Sequence, residues 1–116
     1  MDNLLSQADC HVSCPIKKTA EVLEGKWTTL IIRELLPGKK RYSQIQRALE
    51  GISPRMLASR LRFLESVGLV NRTVYATVPP MTEYALTALG QDIRDVLQAM
   101  AKFGEKLPDP PDPKRS

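Results

Sequence analysis

From Pro15 onward the apolar residues recur at helical spacing. Ile16, Ala20 and Leu23 are four and three residues apart, which predicts a short helix opening at Pro15 and ending near Gly25. Trp27, Leu30, Ile31 and Leu35, with Glu34 among them, continue the pattern from Lys26 to Pro37-Gly38, a breaker followed by a turn. Ser43 can cap a third helix that carries Ile45, Ala48 and Leu49 and ends at Gly51. Ser53 caps a fourth, with Pro54 at its first position, where a missing N–H leaves no helix hydrogen bond unmade. Leu57, Leu61 and Leu64 form one stripe along it, and Gly68 closes it beyond Ser66-Val67.

Between Ile52 and Leu86 the period then changes from 3.6 to 2 with no intervening linker. Leu69, Val70, Thr73, Val74 and Tyr75 predict a strand, and Tyr84-Ala85-Leu86 a second. Pro79-Pro80 belongs at the tip between them, because proline cannot donate to a ladder. Thr87 caps a last helix whose stripe of Leu89, Ile93, Val96, Leu97, Met100 and Phe103 persists for more than four turns. A small domain has difficulty burying so long a stripe, so an interface between two copies, shared with the first helix, is expected.

A length of 116 residues suits one domain, and 42% hydrophobic with 26% charged residues suits an ordinary globule. No apolar run approaches the roughly 20 residues that span a bilayer. The start, MDNLLSQADCHVSC, lacks the basic and apolar regions of a secretion signal, so a cytoplasmic location, on the nucleoid through DNA, is expected. The charge changes the picture more. Between Lys39 and Arg72 stand eight cations (Lys39, Lys40, Arg41, Arg47, Arg55, Arg60, Arg62, Arg72) against two anions, Glu50 and Glu65. That local excess of six is larger than the net +4 of the whole chain, so the remainder is net negative. A positive segment of this kind suits a surface that tracks phosphates and releases their counterions.

On a wheel of about 100° per residue measured from Leu57, Leu61 and Leu64 lie near 40° and 340°, whereas Arg55, Arg62 and Ser59 lie near 160°, 140° and 200°. The cations therefore oppose the core. Arg60, near 300°, is on the flank, where it reaches either phosphate or a neighbouring acid. The leading turns of a groove-reading helix approach base edges, which makes Pro54, Arg55 and Ser59 candidates for base contact. Arg55 can meet the two major-groove acceptors of a guanine bidentately. Arg62 is a candidate for phosphate, Arg72 on the first strand for phosphate or the minor groove, and Arg60, Lys40, Ser43 and Ser53 are further candidates for DNA contact. The expected fold is mainly α with a small antiparallel β hairpin, a winged helix-turn-helix domain over 15–106. Its recognition helix is 53–66, its wing 70–86 and its terminal dimerisation helix 87–106. A flexible arm, 1–14, precedes it, and the proline-rich 107–116 reads as a disordered tail.

Several groups of residues then resemble a family. Cys14-Pro15, Gly25-Lys26-Trp27, Ile52-Ser53, Arg62-Phe63-Leu64-Glu65, Gly68-Leu69-Val70 and Pro79-Pro80, followed by Glu83-Tyr84 and Leu86-Thr87, are similar to the HxlR-type transcriptional regulators, winged-helix relatives of the MarR group. The resemblance covers about Cys14 to Glu105. It implies a homodimer that binds operator DNA through the Ser53–Ser66 helix and the Arg72–Met81 wing. Met81 departs from the pattern, standing where relatives often carry a basic residue, which implies a weaker wing contact.

Cys10 and Cys14 are a second place for chemistry. The resemblance implies that a cysteine at the position of Cys14 senses oxidants or electrophiles, with Cys10 or a cysteine of the second copy as its partner. A thiol at the start of a helix gains thiolate character from the dipole. Cys10, His11 and Cys14 also offer three metal ligands, but no second cluster completes the set and the adjacent pair is geometrically awkward, so no metal and no cofactor is expected. Trp27, the only tryptophan, is expected to anchor the core. No nucleophile and base set, acidic pair or phosphate-cradling glycine loop is present, so the chain does not read as an enzyme. The alternative from another class is a winged-helix module that holds a protein rather than specific DNA.

Overall fold

The computed structural model describes residues 14–109. Its elements, in order, are α1 (Pro15–Val22), α2 (Lys26–Leu35), β1 (Lys40–Arg41), α3 (Tyr42–Ala48), α4 (Pro54–Ser66), β2 (Val70–Tyr75), β3 (Met81–Leu86), α5 (Ala88–Gln91) and α6 (Ile93–Lys106). The fold is thus mostly helical with one small antiparallel sheet, as the alternation of periods implies. Cys10, His11 and residues 110–116 lie outside the described part, as does the expected arm apart from Cys14.

The sheet has three strands, in the order β1-β3-β2. β2 and β3 form the expected hairpin, with Arg72 opposite Tyr84 and Tyr75 opposite Met81. The second strand therefore begins at Met81, three residues before the segment expected, and the bend between strands is confined to 76–80. β1 is a correction to the sequence reading, which saw only a basic run there. Lys40 and Arg41 pair with Tyr84 and Glu83. That pairing also moves the start of the next helix. Arg41, held extended by the sheet, is the N-cap of α3, and the side-chain Oε1 of Gln44 accepts its backbone N–H at 2.9 Å. Ser43 lies inside the first turn and is not the cap.

The core lies where α2, α3 and α4 meet the sheet. Ile31, Ile32, Leu35, Ile45, Leu57, Leu61, Leu64 and Val70 are buried there. At about 25 cal/mol per Å² of apolar surface removed from water, these side chains dominate the stability of the domain. Trp27 packs against this cluster while partly exposed, with the Lys26 ammonium 4.5 Å from its ring centroid. Gly51, in the α3–α4 turn, and Gly68, just past α4, have φ of +94° and +82°. Both turns need a residue without Cβ strain there.

The last helix is not continuous. It is broken at Asp92 into the short α5 and the long α6. Each piece is tied to a different partner. Thr87 Oγ1 accepts the Gly90 N–H at 3.0 Å and donates to the Gly68 carbonyl at 2.6 Å, pinning α5 to the end of α4. Arg94 donates to the Leu36 carbonyl at 3.1 Å, and Ile93 and Leu97 pack on the core, pinning α6 to α2. Gly90 is buried at this joint, and a Cβ there would run into the Leu69 carbonyl oxygen. Gly90→Ala should therefore cost about 2–3 kcal/mol of stability, checked by urea unfolding.

Only part of the long stripe is used inside the chain. Val96, Met100 and Phe103 are exposed, as is Leu89. The first helix behaves likewise. α1 buries no residue, Ile16 is exposed, and only Val22 and Leu23, at its end, touch the core. Among the described helices none is long and apolar enough to cross a membrane.

Candidate nucleic-acid interface

α4 is fixed at its leading end by three side chains. Ser53 accepts the Met56 N–H at 3.0 Å, the N-cap bond its position predicts. Tyr42 O–H donates to the Pro54 carbonyl at 2.9 Å, and Gln46 Nε2 donates to the Ile52 carbonyl at 2.8 Å. The support helix α3 thus holds both the turn and the first residue of α4. Leu57, Leu61 and Leu64 hold the inner face, fully buried. Arg55 and Arg62 are left exposed, with Pro54 beside them and Ser59 half-buried.

The remaining candidates are placed differently. Lys40 has its ammonium 3.3 Å from Glu34, which also meets Arg33 at 3.2 Å, so its charge is engaged within the chain. Arg60 is half-buried, its Nε shielded from solvent with no hydrogen-bond partner among the described residues. It lines a cleft with Glu24, Gly25, Trp27 and Met56, away from Arg55. Arg72 lies 3.8 Å from Glu65, a pair about half exposed on both sides and therefore worth little internally. Exchange of that partner for a phosphate is cheap. Ser53 uses its hydroxyl oxygen in capping, and Ser43 stands exposed in the first turn of α3.

Arg41 was counted in the charge of this segment but not singled out. It is exposed and enters no ion pair among the described residues. Together with Tyr42 and Ser43 it faces the wing loop, Thr77–Thr82, across an open cleft of about 700 Å³. The signal in the sequence was its place at the end of a basic run directly before a helix. Just below the wing loop Tyr75 O–H donates to Glu83 at 2.9 Å, and Lys39 lies 3.7 Å from the same carboxylate. Glu83, through that bond and its charge, holds the Tyr75 phenol above its ordinary pKa.

Cys14 is buried and is the N-cap of α1, its carbonyl accepting the Lys18 N–H at 3.0 Å. Among the described residues no group of three His, Cys, Asp or Glu side chains could hold a metal ion.

Residues 22–111 match the model of the HxlR-like helix-turn-helix family. An uncharacterised HTH-type transcriptional regulator of Synechocystis, sll1512, is 47% identical over 91 residues, which is 78% of this chain and 67% of that one. Among solved structures, a MarR-family regulator from Porphyromonas gingivalis W83 superposes with a TM-score of 0.78 at 40% identity, covering 82% of this chain and 93% of the other. The oxidised form of the redox regulator HypR gives 0.76 at 38% identity, covering 84% and 100%. A capped helix with its arginines outward, a hairpin wing in a three-stranded sheet and this degree of identity lead to one assignment: the chain belongs to the HxlR-like helix-turn-helix family, whose members are transcriptional regulators and not enzymes.

Proposed function

We propose that the protein is a homodimeric, sequence-specific DNA-binding regulator on a pseudo-palindromic operator. The observation that carries this is the two-sidedness of α4: three leucines buried on one face, Arg55 and Arg62 exposed on the other, and a capped leading end held by α3. That end presents Pro54, Arg55 and Ser59 to base edges in the major groove. Arg62, Arg72, Arg41 and Ser43 flank them for phosphate. Lys40, Arg60 and Ser53 are supporting residues in this reading, since their polar groups are engaged or turned inward.

Two copies are needed to read a palindrome. The exposed face of α6, Val96, Met100 and Phe103, and the unburied α1 supply the surface for pairing. In this arrangement Cys14 stands at the start of α1, one of the two pairing helices. Oxidation joins its thiol to a second one, Cys10 or a cysteine of the partner copy, with two electrons and two protons passing to the oxidant. The disulfide ties α1 in a new position and changes the spacing of the two α4 helices. HypR, which the chain resembles at 38% identity, is a redox regulator known in oxidised and reduced forms. A gel shift on wild type and Cys14→Ser, each reduced and diamide-treated, is the test. Diamide should change operator affinity at least fivefold in wild type only, and equal binding in all four lanes removes the switch.

A further inference from the structure

The cleft between the α1–α2 turn and α4 holds two opposite charges that do not meet. Arg60 and Glu24 both line it, yet no ion pair joins them, and neither enters another among the described residues. Arg60 is half-buried and its Nε is shielded from solvent with no partner, so the cation is partly desolvated with a donor unmatched. A charge held in this way gains from an anion beside it. The same wall carries a second anion-binding feature, the leading end of α2, whose N-cap is Gly25 and whose first N–H groups are capped by no side chain. Nothing lies within 4 Å of where a Gly25 Cβ would stand, so the approach is open. The remaining walls are apolar: Trp27, and the adaptable thioether of Met56, which is 38% exposed. The cleft measures about 350 Å³. Small-molecule sites run from roughly 300 to 1,000 Å³, so a small ligand suits it.

We propose that this cleft is an effector site for a free α-amino acid with an apolar side chain. The carboxylate lies against Arg60 and the leading end of α2, the ammonium meets Glu24, and the side chain packs on Trp27 and Met56. A dipolar ligand is the class these walls select. A plain carboxylate of the same shape leaves Glu24 facing a like charge, and a plain amine does the same to Arg60. Occupancy reaches the rest of the molecule through both walls. Met56 stands in the first turn of α4, next to Arg55, with its N–H on the Ser53 cap, while the opposite wall is the turn that leads out of α1. A ligand that touches both favours the arrangement of α1 and α4 that fits it better, and shifts operator affinity by its differential affinity for the two. That consequence rests on the regulator reading above; binding itself does not.

Trp27 is the only tryptophan of the chain and stands in the wall, so its fluorescence reports occupancy. L-leucine, L-methionine and L-phenylalanine are titrated into the full chain, each beside the acid that lacks its amino group and the amine that lacks its carboxylate. At least one amino acid should shift the emission saturably, with a Kd of about 10 µM to 1 mM. Its acid should bind about three- to fivefold more weakly and its amine at least about tenfold more weakly. Glu24→Gln should weaken the amino acid about three- to fivefold without weakening its acid. Glu24 is exposed, so this variant keeps the fold even where Arg60→Met, which should weaken both about tenfold or more, does not. The amino acid that binds should change affinity for a selected duplex at least about fivefold. Absence of a saturable shift with all of them at about 10 mM, or an acid that binds as tightly as its amino acid, overturns the site. Saturable binding with unchanged operator affinity overturns the effector role. Absence of wild-type binding to duplex at low salt overturns the regulator reading and the effector role with it, and the site is then judged by the fluorescence titration, which needs no DNA.

Discussion

Arg55→Ala should lower affinity for the selected operator by about thirtyfold or more and flatten the preference for one base pair in each half-site. The size follows from what an exposed arginine at the leading end of a groove helix does. A bidentate contact with guanine distinguishes it from other bases by about 1–3 kcal/mol, and a twofold-symmetric complex makes the contact twice. Arg55 is exposed and outside the core, so the variant should melt as wild type does. Binding to random duplex should fall by much less, because only the phosphate part is shared with non-specific sites. Competition titrations of operator against random duplex check both effects. Wild-type operator affinity in Arg55→Ala would place base recognition elsewhere.

The second large effect concerns the outer face of α6. Met100 and Phe103 are 47% and 63% exposed within one chain, so charging both, as Met100→Asp with Phe103→Asp, leaves the core of the domain untouched. In the proposed dimer the same residues would be buried, and two buried carboxylates per copy are not tolerated. The double variant should elute as a monomer where wild type elutes at twice the chain mass, with its unfolding transition preserved. Its operator affinity should drop about a hundredfold or more, since a monomer forfeits the effective concentration that the first half-site gives the second. Light scattering after gel filtration, followed by a gel shift, checks both. A wild-type monomer that still binds its operator tightly would exclude the pairing.

What could be read in advance, and what could not, divides along the range of the interactions. Ser53-Pro54 and the three leucines of α4 are local signals, and helix start, stripe and outward arginines all lie where the wheel puts them. The hairpin was legible for the same reason. β1 was not, because a strand of two residues has no period of its own; only pairing with β3, more than 40 residues later, makes Lys40 and Arg41 extended. The misplaced cap at Ser43 follows from that, since the strand decides where α3 can start. The break at Asp92 was equally hidden, as both halves of the stripe keep helical spacing and only their different anchors, Gly68 and Leu36, separate them. Charge counting had a related limit. It tallied Lys40 with the phosphate contacts without showing that Lys40 also meets the Glu34 carboxylate, and it gave Arg41 no special weight, although Arg41 is exposed beside the wing.

The central claim is that this segment exists to meet DNA, and the salt dependence of duplex binding by the wild-type chain measures that most directly. With a selected duplex titrated between about 50 and 200 mM salt, the logarithm of the binding constant should fall linearly against the logarithm of salt, with a slope of roughly −5 to −9 for six to ten phosphate contacts in the dimer. A chain that binds no duplex even at the lowest salt, or binds with no salt dependence, would contradict the account and leave a winged module that engages a protein.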